Sequence, residues 1–255
     1  MKEMDYLDEF IDSLQFYHEG NVERDWAGSD SKKRWDKNYP NHPELEPYVN
    51  NPIRYNYQKD FIRCDYPLDY LEDRGLDVDL YLGCSHTFGT GHHWENTWPY
   101  HVAKATGNIP VNLGIGGGSV GGSYLRLLKY LPKFKVKNIF HYQLSYARFY
   151  YFKGRRVQNF QLWNSVDELR KKFGDDYVQD NYMTDGITEL NLKMYTNLID
   201  YEAKQLGIPY YFSSHPLKEL NINKEDDLVA RDLIHPSKNT MKAIANLFIN
   251  KLNND

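Results

Sequence analysis

Residues 78–89 read Val78-Asp79-Leu80-Tyr81-Leu82-Gly83-Cys84-Ser85-His86-Thr87-Phe88-Gly89. A short, mostly apolar run ends in a turn flanked by glycines, which is how a buried strand hands over to a polar loop. From there to the C-terminus, short apolar runs alternate with helical patterns, the pattern of βαβ units around a parallel sheet. The runs predict strands at 78–82, 109–113, 138–144 and 208–212. One helix should begin near Asn96, with Pro99 in its first turn, and stop at Gly107. Another should open at Ser165, whose hydroxyl and Glu168 three places on fit a capping box. A long helix sets Ile187, Leu190, Met194, Leu198 and Tyr201 on one face before Gly207, and the last repeats the pattern with Met241, Ile244, Ala245, Phe248 and Leu252.

Upstream of this block the character differs. Residues 1–75 are polar and irregular after an amphipathic start around Leu7 to Phe16, with Pro40, Pro43, Pro47, Pro52 and Pro67 interrupting any long element. They read as an N-terminal extension or arm, and residues 76–255 as a single α/β domain. The arm carries too many aromatic residues for a plain linker, so it is expected to pack on the main domain or on a protein partner.

The bulk numbers narrow the function classes. The chain has 255 residues, 41% hydrophobic and 26% charged, enough for one ordinary core with an appendage. Net charge is −4, with acids and bases interspersed rather than gathered into a basic stripe, which argues against nucleic acid as a partner. No apolar run approaches the roughly 20 residues a membrane span needs, and the start, MKEMDYLDEF, lacks a secretory pattern. A soluble protein made in the cytoplasm is the expectation. Cys64 and Cys84, the only cysteines, form neither a disulfide framework nor a metal set and read as free thiols.

Three segments could carry chemistry. Ser85 is presented on a turn where the first predicted strand runs out, and open α/β sheets gather ligands at the carboxyl ends of strands. A serine hydroxyl there could be a nucleophile or an ordinary turn residue. Asp232-Leu233-Ile234-His235-Pro236 lies just ahead of the last helix, and of the nine histidines only His235 has an acid three places before it. An imidazole that takes a serine proton needs a carboxylate to fix its tautomer. The competing reading is a surface loop with an incidental ion pair. Asn112-Leu113-Gly114-Ile115-Gly116-Gly117-Gly118-Ser119, with Gly121 and Gly122 behind it, packs six glycines into nine residues and could aim backbone N–H groups at an oxyanion. Gly116, Gly118 and Gly121 also satisfy the dinucleotide fingerprint, but the acidic residue that reading needs near the end of the next strand is replaced by Ile139-Phe140-His141-Tyr142-Gln143.

Taken in this order, the three segments resemble the SGNH (GDSL-like) hydrolase family over about residues 78–248. The resemblance implies a three-layer α/β/α, flavodoxin-like domain around a parallel sheet. It also implies Ser85 as nucleophile, His235 as base, Asp232 as its acid partner, and the amides of Ser85 and Gly117 as an oxyanion hole. Two positions depart from the family pattern. Cys84 stands where the family usually has Asp, a change that spares the nucleophile. After the third strand the sequence reads Ser145-Tyr146-Ala147-Arg148 rather than Gly-x-Asn-Asp, so Gln143, Ser145 or Arg148 are the candidates for a third oxyanion donor. The stretch from Gly83 to Gly91, followed by Glu95-Asn96-Thr97-Trp98-Pro99, is also similar to bacteriophage-encoded variants, which implies a virion-associated or host-modifying protein.

His86 and His215 are further candidates for substrate contact. His92 and His93 could line the pocket or bind a metal, though no Cys or acid cluster accompanies them. The run Phe149-Tyr150-Tyr151-Phe152, with Trp163, could form a platform for a sugar or acyl chain, or cover the core. The resulting expectation is an esterase that removes a small acyl group, such as acetyl from a carbohydrate, with no metal or organic cofactor. The rival is a non-catalytic binding or structural protein that kept the fold.

Overall fold

The computed structural model describes residues 2–16, 22–143, 148–183, 186–220, 222 and 227–254. Its strands are β1 (Val22–Arg24), β2 (Tyr55–Tyr57), β3 (Asp77–Gly83), β4 (Ile109–Asn112), β5 (Lys135–Tyr142), β6 (Arg148–Lys153), β7 (Arg156–Gln161) and β8 (Tyr210–Ser213). The α-helices are α1 (Lys2–Asp12), α2 (Lys32–Asn38), α3 (Pro47–Asn50), α4 (Leu68–Arg74), α5 (Ser85–Phe88), α6 (Trp98–Thr106), α7 (Val120–Tyr130), α8 (Leu162–Phe173), α9 (Asp175–Val178), α10 (Ile187–Gln205) and α11 (Lys238–Leu252).

Four strands form a parallel sheet in the order β4-β3-β5-β8. Side chains alternate across β3, and that alternation divides the core. Val78, Leu80 and Leu82 join Val111, Leu127 and Tyr130 of α7, and Ile199 and Ala203 of α10, in one buried cluster. Tyr81 turns the other way and joins Phe140, Tyr142, Trp98 and Val102 of α6, and Met241, Ile244 and Phe248 of α11. The result is the expected three-layer α/β/α domain.

The chain leaves β3 for β4 on one side and returns to β5 on the other. This topological switch opens a crevice at the carboxyl end of β3, where Ser85 begins α5.

The four expected strands all form, with β5 starting three residues earlier than expected, at Lys135, and ending at Tyr142. Residue 144 lies outside the described residues. Helix α6 begins two residues after Asn96 and is closed by Gly107, as its proline and glycine suggested. Helix α8 starts at Leu162, three residues ahead of the expected cap at Ser165, because β7 runs straight into it.

The apolar face expected on α10 is only partly the packed one. Leu190, Met194 and Tyr201 are exposed, while Tyr195, Ile199 and Ala203 face α7, where Tyr195 lies against Gly121 and Tyr124. The helix has two apolar stripes, and the core took the one whose flat Tyr195 fits against the glycine-rich start of α7. The antiparallel hairpin β6–β7, with Gly154-Arg155 as its two-residue loop, was not expected from the sequence.

The N-terminal segment packs closely on the α/β domain. Arg63 and Asn112 exchange backbone hydrogen bonds of 3.1 and 3.2 Å, covering the open edge of β4. Tyr48, Ile53, Tyr55 and Tyr57 share a buried cluster with Phe88. Two buried ion pairs fasten the rest, Asp30 to Arg231 at 2.7 Å and Asp60 to Lys129 at 2.7 Å.

Candidate active site

Ser85 is the first residue of the short helix α5 and is 7% exposed. The turn that delivers it depends on Gly83, whose φ of +141° no L side chain readily adopts. A Cβ there would also lie 2.3 Å from both Thr87 Oγ1 and the Tyr142 carbonyl. The far end of the turn is held from the arm. The Arg63 guanidinium, wholly buried against Tyr55, Phe88 and Trp94, donates to the carbonyls of Phe88, Gly89 and His92. Burial brings that guanidinium down to about 10, so it stays charged at neutral pH.

Asp232 and His235 sit on one tight loop. His235 Nδ1 lies 2.7 Å from Asp232 Oδ2, and the amides of Ile234 and His235 donate to Oδ1 at 3.1 and 3.2 Å. Leu233 makes this possible by adopting φ +57°, an unusual conformation for a branched side chain. Burial pushes the Asp232 carboxyl up. The His235 ring, the Ser29 hydroxyl at 2.7 Å and the backbone N–H group of Ile234 outweigh that and hold it well below the usual carboxylate range. Asp232 is therefore an ionised, fully engaged acceptor, suited to orienting an imidazole.

Ser85 and His235 line one cavity of about 580 Å³ together with Ile115, Gly116 and Gly117. Gly117 has φ +72°, and no atom lies within 4 Å of where a Gly116 Cβ would be, so the glycine loop leaves open space beside Ser85. The loops are cross-tied. The Asn112 side chain donates to the Thr87 carbonyl at 2.7 Å and accepts from the Gly114 amide at 2.9 Å, and Ser119 caps α7 by accepting from Gly122.

The candidates for the third donor separate clearly. Gln143 is completely buried and donates to the Gly118 carbonyl at 3.3 Å, bracing the glycine loop instead of lining the cavity. Arg148 lines the cavity beside Ser85. Ser145 lies outside the described residues.

The other histidines also separate. The His86 ring stands 5.4 Å from that of His235, and its Nδ1 is 3.2 Å from Cys84 Sγ. Burial would raise the Cys84 thiol, but the His86 ring and the Arg148 charge bring it down to about 5. Both cysteines are free and buried.

His215 does not line the cavity, and its carbonyl accepts from the Tyr142 hydroxyl. His92 is a buried structural residue that donates from Nε2 to the Pro236 carbonyl at 2.5 Å, and burial lowers it to about 4. Among the described residues, no three His, Cys, Asp or Glu converge as a metal site would require, and no helix is long and apolar enough to cross a membrane.

The aromatic run of β6 borders a different cavity, of about 490 Å³, between the hairpin and the exposed stripe of α10. Phe149 itself packs inward against Phe160, Leu169 and Val178, and the side chain of Trp163 is not among those described.

The residues that sequence reasoning missed come mostly from the arm. Arg24, Trp26, Gly28, Ser29 and Arg34 form one side of the Ser85 cavity, and Ser29 contacts Asp232 directly. Nothing local marks Ser29. The signal was upstream and diffuse, in a segment too aromatic to be a linker.

No family model matches the sequence, and no curated protein matches it. Several solved structures resemble it at low identity. A protein assigned to the lipolytic G-D-S-L family, from Desulfitobacterium hafniense, is 15% identical, with a TM-score of 0.35 over 68% of this chain and 98% of its own. A member of that lipolytic family from Veillonella parvula is 14% identical, with a TM-score of 0.32 over 67% and 94%. A protein assigned as an acylhydrolase, from Bacteroides fragilis, is 17% identical, with a TM-score of 0.32 over 84% and 97%. Those descriptions belong to those proteins, and the chemistry of this α/β chain rests on its own residues.

Proposed function

We propose that the protein is a serine ester hydrolase that removes a small acyl group, with O-acetyl on a carbohydrate as one such substrate. The observation that carries the reading is the 2.7 Å contact between His235 and an ionised Asp232, on a loop that puts His235 into the same cavity as Ser85 and Gly117. In this reading the Ser85 oxygen attacks the ester carbonyl while His235 Nε2 takes its proton. The amides of Ser85 and Gly117 hold the oxyanion. His235⁺ then protonates the departing alcohol, leaving an acyl-serine. Water attacks that ester, giving its proton to His235, and collapse releases the carboxylic acid and restores the serine hydroxyl. In the same reading Arg148, which lines the cavity, adds positive charge near the oxyanion. A structural role without catalysis is the second reading, favoured by the Gln143 amide, which donates to the Gly118 carbonyl and does not line the Ser85 cavity.

A fluorophosphonate probe decides between them. The expected outcome is one adduct per chain on Ser85 by intact mass and peptide mapping. His235→Ala should slow labelling by at least about 1,000-fold, and Ser85→Ala should abolish it. A folded protein that takes no adduct would leave the structural reading.

A further inference from the structure

We propose that the Ser85 cavity is built for an ester that also carries a carboxylate, which Arg24 and Arg34 of the N-terminal segment bind. The inference deepens the hydrolase reading and rests on it. The protein as a whole carries a net charge of −4, yet the cavity lining has the opposite sign. Arg24, Arg34 and Arg148 border it and no Asp or Glu does.

The acids nearby are already engaged. Glu23 and Asp25 pair with Arg54, Asp30 with the buried Arg231, Asp36 with Lys32, and Asp232 with His235 and Ser29. Among the described residues, no carboxylate lies within 4.0 Å of the Arg24 or Arg34 guanidinium. Two guanidinium groups with unspent donors at the mouth of a reactive cavity suit a planar oxyanion, which a guanidinium can grip with two parallel hydrogen bonds.

The wall beside them is rigid. The Arg231 guanidinium carbon stands over Trp26, 4.1 Å from its ring centroid, and Arg231 is itself clamped by Asp30. With Tyr57, Phe61 and Phe88 also lining the space, the site offers apolar faces for the body of the substrate and positive charge for one end.

The test uses a matched pair of ligands on Ser85→Ala, which cannot turn them over. These are 4-acetoxyphenylacetate and its neutral analogue 4-acetoxyphenylacetamide, with binding read by calorimetry and by Trp fluorescence. The acid should bind about tenfold or more tightly than the amide at low ionic strength, and added salt should narrow the gap. In Arg24→Gln/Arg34→Gln on the same background the two affinities should converge to within about twofold. Arg24 is exposed and Arg34 half-buried, and circular dichroism checks that the variant is folded.

Equal affinities at the outset overturn the proposal. So does a preference that survives the double substitution, or no binding of either ligand up to about 1 mM. Fluorophosphonate labelling of the unaltered protein separates the two claims. Labelled Ser85 without acid preference sinks only the carboxylate site. Acid preference with an inert Ser85 sinks the hydrolase reading and leaves an anion-binding cavity.

Discussion

Asp232 spends every acceptor it has. One oxygen takes two backbone N–H groups, the other takes the His235 ring and the Ser29 hydroxyl, and the side chain is fully buried. Of these contacts, only the one to Ser29 comes from outside the loop, across 203 positions of sequence. In the proposed hydrolase, Ser29 is thus a positioning residue, acting on His235 through Asp232. A hydrogen bond to a charged acceptor contributes roughly 1.5–3 kcal/mol, and the remaining partners keep Asp232 ionised when it is lost. Ser29→Ala is expected to slow fluorophosphonate labelling of Ser85 by about tenfold while leaving the fold intact, with Ser29→Thr restoring most of the rate. An unchanged rate in Ser29→Ala would mean that the loop alone sets the imidazole.

At the scale of elements, legibility followed locality. The sheet strands and the start and stop of α6 were readable because their causes lie within a few residues: apolar runs, Pro99, Gly107. The contact between Asp232 and His235 was readable for the same reason, the two being three apart on one loop. Which stripe of α10 packs could not be read, since Leu190, Met194 and Tyr201 are as apolar as Tyr195, Ile199 and Ala203 and the choice is made by α7.

That choice depends on close approach. A Cβ on Gly121 would sit 2.4 Å from the Tyr150 ring and 2.9 Å from the Tyr195 ring, two side chains whose hydroxyls are hydrogen-bonded at 3.0 Å. Gly121→Ala should therefore push β6 and α10 away from α7, costing about 1–3 kcal/mol in urea unfolding despite the better helix propensity of alanine. A stabilised variant would show that the two rings move aside freely.

Over the whole molecule, the arm and the α/β domain are fastened by buried charge, which makes their union sensitive to acid. Asp60, at φ +57°, accepts from Lys129 at 2.7 Å, the Tyr130 hydroxyl at 2.6 Å and the Phe16 amide at 3.2 Å, while Arg126 donates to its carbonyl at 2.7 Å. Burial alone would raise the Asp60 carboxyl. Lys129, Tyr130 and the Arg126 charge outweigh it, and the folded value lies below the ordinary one. A carboxyl lowered by folding stabilises the native state at every pH above its unfolded value of about 3.9. That contribution drains away as the pH falls from there through the folded value. Asp60→Asn removes the charge and leaves the Lys129 ammonium buried without its counter-ion, which should cost about 3–5 kcal/mol at pH 7. Urea unfolding of both proteins down to acid pH should show this deficit constant above about pH 5 and shrinking below about pH 4, as the parent loses its own carboxylate. A deficit below about 1 kcal/mol at pH 7, or one that grows on acidification, would show that the ion pair does not hold the arm in place.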